Sequence, residues 1–316
     1  MPVTCSRLGN LRKMKYERPR FLHAGAVLVL VIGGCSCNFI QGDSIMPSQQ
    51  SAGKATTVSN APMSQNEYEI PVDVQNGYAT VREAGVLFTF KAADYGRVAM
   101  NKVEKYVTSE PSPEGSWPEH RRFYLEDKRP LPAFEKGPRY FFPARSLICF
   151  IPLGDPSEKE FGKTYPEISS AAAELRQILS KAPKAPDATK SLPDLPRNNA
   201  GQSFRSKAQL VDFKAGSGIL FLTQYTQEVY PNPINNEELT CNFQGLTKNG
   251  KYYVAARMAI IHPDLPRGID FTKHIDRDDN LRYLKEGEKR LNRLADDSFQ
   301  PSLAELKKLI ASISIQ

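Results

Sequence analysis

Residues 208–263 constrain the fold more than any other stretch. Short runs rich in β-branched and aromatic residues are broken there by turn formers, which is the pattern of antiparallel hairpins. "AQLVDFKAGSGILFLTQYTQEV" (208–229) reads as two strands with Gly216-Ser217-Gly218 between them. "ELTCNFQGLTKNGKYYVAARMAIIHP" (238–263) reads as a second hairpin turning at Lys248-Asn249-Gly250, where an Asn-Gly pair supplies positive φ angles. Side chains alternate across a strand. Leu239, Cys241 and Phe243 therefore face one way, and Thr240, Asn242 and Gln244 the other. Arg257 interrupts an otherwise apolar partner strand, and Gln224 and Thr226 lie on the strand before. Brought into register, Gln224, Asn242, Gln244 and Arg257 form a polar surface with a single charge, suited to a sugar, a peptide or a carboxylate. The plainer reading is the solvated face of an antiparallel sheet.

The first half adds strands at 86–90, 120–126 and 146–153, with Pro- and Gly-marked loops at 110–119 and 128–143. A helix is expected over 164–181. Thr164 and Glu167 fit a capping box there, and Pro166 sits in the first turn. Ile168, Ala172, Leu175, Ile178 and Leu179 share one face of it. The Pro-rich segment that follows, 181–199, is either a domain boundary or a crossover over one surface. The crossover is favoured, because each half alone has too few strands to close a core. Two helices end the sequence, at about 279–296 and 302–314. Ser302 and Glu305 suggest a capping box for the second, and Leu303, Leu306, Leu309, Ile310 and Ile313 form its apolar stripe. "DRDDN" (276–280) has Leu281 where a calcium loop needs Gly, so it reads as the acidic start of a helix. The expected fold is α+β: an antiparallel sheet of several hairpins packed by helices, two of them C-terminal, in a single domain over 67–316.

Ahead of that domain stand six basic residues, one acid (Glu17), and then Ala24–Ile32 with no polar side chain. That is the layout of a signal peptide, too short to span a bilayer. Ile32-Gly33-Gly34-Cys35 resembles a bacterial lipobox. The resemblance implies removal of residues 1–34, diacylglycerol on the Cys35 sulfur and acylation of the new amino terminus. The protein would then be held at a membrane surface in the cell envelope. Ser36 rather than Asp after the cysteine leans toward the periplasmic face of the outer membrane. Met14 offers a second start. Residues 35–66, rich in Ser, Gln, Ala, Thr and Asn, read as a flexible tether.

The formal charge of +7 invites a nucleic-acid reading. Six of the 42 basic residues and one of the 35 acidic ones lie before Cys35, however, so a chain cut there carries only about +2. Such a chain has no broad field for phosphate backbones. An oxidising compartment permits a Cys149–Cys241 disulfide, the alternative being two buried thiols. Histidine and cysteine spacings match no metal site, and no cofactor is expected. His262 lies near Asp264 in "HPDLP", where the two read either as a strand stop in a Pro-rich loop or as a catalytic dyad.

"FKAGSGILFLTQYTQE", "ELTCNFQGLTKNGKYYVAA" and "HPDLP" resemble a family of bacterial envelope proteins with no assigned activity. The meander with its C-terminal helix is similar to the PsbP-like α+β fold. The resemblances are silent on chemistry; the anchor, the tether and the lack of any nucleophile, base or metal set point to a membrane-anchored lipoprotein, a non-catalytic binding or scaffolding module whose partner is an envelope protein or a small polar ligand. An envelope hydrolase with a site around His262 is the alternative.

Overall fold

The structure is a computed structural model. It describes residues 67–109, 115–128, 145–154, 159–182, 186–197, 200–227, 233–268 and 277–316. The leader, Cys35, the tether and His274 lie outside the described residues, as do most of 128–143 and part of 110–119.

In chain order the elements are β1 (Glu67–Glu69), β2 (Asp73–Gln75), β3 (Tyr78–Glu83), β4 (Val86–Lys91), β5 (Tyr95–Val103), β6 (His120–Asp127) and β7 (Arg145–Pro152). Helices α1 (Lys159–Thr164) and α2 (Pro166–Leu179) follow, then β8 (Gly201–Gln202), β9 (Ser206–Phe213), β10 (Gly216–Thr223) and β11 (Tyr225–Thr226). The chain continues with β12 (Thr240–Thr247), β13 (Tyr252–Ala259), α3 (Arg277–Arg293), α4 (Leu303–Ser312) and β14 (Ser314–Ile315). Among the described residues strand outweighs helix, 41% to 23%, so sheet sets the architecture. No helix among the described residues is long and apolar enough to cross a membrane.

Eight strands form the main sheet in the order β1-β5-β6-β7-β13-β12-β10-β9. All its pairings are antiparallel, and β7 and β13 join strands from the two halves of the chain. A smaller sheet, β14-β4-β3-β2, and a two-stranded pair, β8 with β11, are the other sheets among the described residues.

The alternation of side chains gives the main sheet two faces. Val98, Met100, Phe123, Leu125, Ile148, Phe150, Leu220, Leu222, Cys241, Phe243, Val254, Ala256 and Met258 point to the back face. There they share one core with Val81, Val86, Phe88 and Phe90 of the small sheet and with the stripe of α4. Cys149, Ile151, Ile219, Phe221, Leu246, Tyr253 and Ala255 point to the front, where Ile168, Ala172 and Leu175 of α2 and Leu192 and Leu195 of the Pro-rich segment cover them.

Local expectations hold in part. α4 starts as expected, with Ser302 Oγ accepting from the Glu305 N–H at 3.1 Å and the whole stripe Leu303, Leu306, Leu309, Ile310 and Ile313 buried. The Glu305 carboxylate does not close the box. It accepts from Tyr78 Oη and Lys308 Nζ instead. α2 begins one residue later than the capping-box reading requires. Thr164 ends α1, Tyr165 is the N-cap without a side-chain bond, and Pro166 opens the helix. The Gly216-Ser217-Gly218 trio is not the hairpin turn, which falls at Lys214-Ala215. Its glycines lie inside β10 because β12 comes too close for a side chain: a Cβ on Gly216 would sit 1.9 Å from the Leu246 carbonyl oxygen. The β12–β13 connection does use Gly250, at φ +69°, and Asn249 Oδ1 caps the turn by accepting from the Lys251 N–H at 3.0 Å.

Cys149 and Cys241 are both free and fully buried. Cys149 points to the front core and Cys241 to the back core, so the sheet itself stands between them and no disulfide forms. Burial pushes the Cys149 thiol up to about 11 and raises Cys241 further, which leaves both inert as nucleophiles.

Candidate functional site

The register places three of the four polar residues read from the sequence on one patch of the front face. Asn242 lies opposite Arg257, and Gln244 lies opposite Ala255. They are neither a solvated face nor an open ligand surface. Asn242 and Gln244 are 0% exposed, and the Arg257 side chain is 12% exposed. The reason is the segment 191–197, which lies over them. A Pro-rich segment has few N–H donors and no neighbouring strand, and its buried backbone groups must find partners elsewhere.

The polar side chains supply those partners. Gln244 Nε2 donates to the Leu195 carbonyl at 3.1 Å while Gln244 Oε1 accepts from the Leu195 N–H at 3.0 Å. Gln202 does the same at Leu192, donating to its carbonyl at 2.9 Å and accepting from its N–H at 3.1 Å. Two glutamine amides thus each hold a leucine of the crossover as a β-bridge would. Tyr253 Oη adds a bond to Gln244 Oε1 at 2.8 Å.

Arg257 anchors the far end of the segment. Its Nη2 donates to Asp194 Oδ1 at 3.2 Å and to the Pro196 carbonyl at 3.0 Å. Its guanidinium lies 4.6 Å from the centre of the Tyr225 ring. Tyr225 Oη reaches both Asp194 Oδ1 (2.8 Å) and Asn242 Oδ1 (3.2 Å). Asn242 passes the network on by donating to Thr240 Oγ1 at 2.9 Å. Burial pushes the Asp194 carboxyl up, and Arg257 and Tyr225 pull it back. Burial also opposes the charge on Arg257, yet Tyr225 and Asp194 outweigh it and hold the guanidinium protonated. Gln224 is also fully buried, but it donates to the Pro233 carbonyl at 3.3 Å, in the loop before β12. Sequence reading missed Asp194, Gln202, Tyr225 and Tyr253. The one available signal was an acid flanked by Leu-Pro on either side in "SLPDLP".

Between this clamped segment and α2 runs a groove of about 500 Å³. Glu167, Ser170 and Glu174 line it from the helix, and Ser191, Pro193 and Arg197 from the crossover. Arg197 stands 4.0 Å from Glu167, and burial raises the Glu174 carboxyl. With Asp194 answered by Arg257, the lining carries two carboxylates against one guanidinium. The groove can hold a polar ligand and favours one with an amine.

His262 is elsewhere and is wired as a strut. Its Nδ1 accepts from the Asp264 N–H at 3.1 Å, so its proton is on Nε2 and points at Ser298 Oγ, 3.0 Å away. Ser298 in turn donates to the Ala295 carbonyl at 2.7 Å. The imidazole therefore has no lone pair free to take the serine proton, the reverse of a nucleophile–base pair. The Asp264 carboxylate pairs with Arg290 at 3.1 Å. Among the described residues no group of three His, Cys, Asp or Glu side chains could hold a metal ion. The chain matches no protein-family model and no curated protein.

Proposed function

We propose that this chain is a bacterial envelope lipoprotein of the α+β class, acylated at Cys35. Its domain acts as a non-catalytic binding or scaffolding module, taking a polar, amine-bearing ligand in the groove between α2 and the crossover. One observation carries the binding part. The crossover wall is fixed in place by paired glutamine amides and a buried ion pair, so the groove is preorganised, and preorganisation is what a binding site needs. The lipobox supports the anchor, and the tether after it supports a domain held clear of lipid headgroups.

Two measurements test it. Mass spectrometry of the protein from its native membrane should find the chain starting at a lipid-modified Cys35; an unmodified start elsewhere sinks the anchor. A photo-crosslinking residue at Ser170 or Ser191 should capture a specific adduct in the native envelope. The same residue at Asp73, on exposed β2, should not; equal labelling at both places rules the groove out.

A further inference from the structure

Among the described residues four arginines project from the front face of the main sheet: Arg97, Arg122, Arg145 and Arg257. Three meet carboxylates. Arg97 pairs with Glu69 (3.0 Å) and Glu126 (3.5 Å), Arg145 with Glu67 (2.7 Å) and Arg257 with Asp194 (3.2 Å). Arg122, in the middle of β6, is the exception: among the described residues no carboxylate lies within ion-pair distance of it. The side chains it touches directly are neutral. Its Nε donates to His120 Nε2 at 3.0 Å, its guanidinium carbon lies 5.8 Å from the Trp117 ring centre, and Tyr124 on the same face shares a side-chain hydrogen bond with it.

His120 is fixed in that neutral role. An arginine Nε is always a donor. His120 Nε2 must therefore accept, and the ring proton lies on Nδ1, donated to the Pro118 carbonyl at 2.8 Å. With Nε bonded to His120 and a further side-chain hydrogen bond to Tyr124, the guanidinium still keeps N–H donors for a ligand, since it carries five. Arg122 and Tyr124 are both half-buried.

We infer that Arg122, seated by His120 between Trp117 and Tyr124, is a binding site for a carboxylate-bearing ligand. A planar fork matches a planar carboxylate through two parallel hydrogen bonds. Charge selects the class as well. One guanidinium balances one carboxylate, whereas a phosphate dianion would leave excess negative charge beside Glu67, which already interacts with Tyr124. This site is separate from the α2 groove and does not depend on that reading.

Trp117 is the only tryptophan in the sequence, so its emission reports the site. The full chain would be titrated with sodium propionate, with chloride and phosphate at matched ionic strength. Propionate should give a saturable change that chloride does not. Arg122→Gln should abolish it, and Arg122→Lys should weaken it about tenfold by exchanging a fork for a point charge. In the unaltered protein, NMR titration of the His120 ring should move to higher pH when propionate is present, because a bound carboxylate offsets the neighbouring guanidinium. An equal response to chloride, persistence in a folded Arg122→Gln, or an unmoved His120 overturns the site. Saturation by phosphate at lower concentration than propionate overturns the ligand class.

Discussion

The two faces of the main sheet are closed in different ways. The back face is sealed mainly by apolar contact: Phe88 and Phe123 meet edge to face at 5.5 Å, as do Phe213 and Phe243 at 5.6 Å, and the stripe of α4 fills the remainder. The front face is half apolar under α2 and half polar under the crossover. The difference follows from what covers each. A helix or a sheet satisfies its own backbone and presents only side chains. An irregular Pro-rich segment presents bare N–H and C=O groups, and the sheet beneath it must answer them. Polar residues on β12 and β13 are thus the complement of an irregular cover.

The sharpest break of this comparison is Asp194→Ala, which strands Arg257 without its buried partner. It should cost about 3–5 kcal/mol, read by denaturant unfolding, whereas replacing both residues by apolar ones should restore much of the loss. Next is pH. Burial holds His120 down to about 4, with the Arg122 charge acting the same way against the bond to Pro118. The unfolded chain, with a histidine near 6.5, takes up a proton first as pH falls. The stability this site supplies is therefore complete above about 6.5 and is lost between there and about 4, about 3 kcal/mol in all. His120→Gln keeps a donor and an acceptor and should flatten that stretch of the stability–pH curve. On the back face, Gly245→Ala would set a Cβ 2.6 Å from the Phe243 ring, and overpacking of this kind should cost about 1–3 kcal/mol with no dependence on pH. Gln244→Ala, which orphans both backbone groups of buried Leu195, should cost about 1–3 kcal/mol; Gln202→Ala, at a half-buried position, should cost less. Equal losses would mean that the two clamps are not ranked by burial. Smallest is Ser302→Ala, about 1 kcal/mol for a lost cap.

Features written in local spacing were legible in the sequence. The hairpin at Gly250, the stripe of α4 and its serine cap each need only a few neighbouring residues. The strands at 86–90, 120–126 and 146–153 fall within β4, β6 and close to β7. Burial of Asn242 and Gln244 was not legible, since the same alternation describes a wet face and one covered by a segment about fifty residues away. Thr164 shows the smaller version of that limit. Its pattern fits a cap, but α1 claims the residue first. Arg122 was missed for a related reason: the absence of a counter-charge appears only when the strands are side by side.

The seam between β7 and β13 has a further consequence. Each half of the sheet is a meander that can zip locally, yet the strand each offers at the seam is among its most apolar, and the residues paired there are about 100 positions apart. Closing so long a loop is slow. Until it happens, both meanders present an unprotected edge, the kind of surface through which nascent chains stick to one another. Folding of this protein is therefore a race between its own two halves finding each other and a neighbouring copy finding either, and the race should turn against the native state as concentration rises.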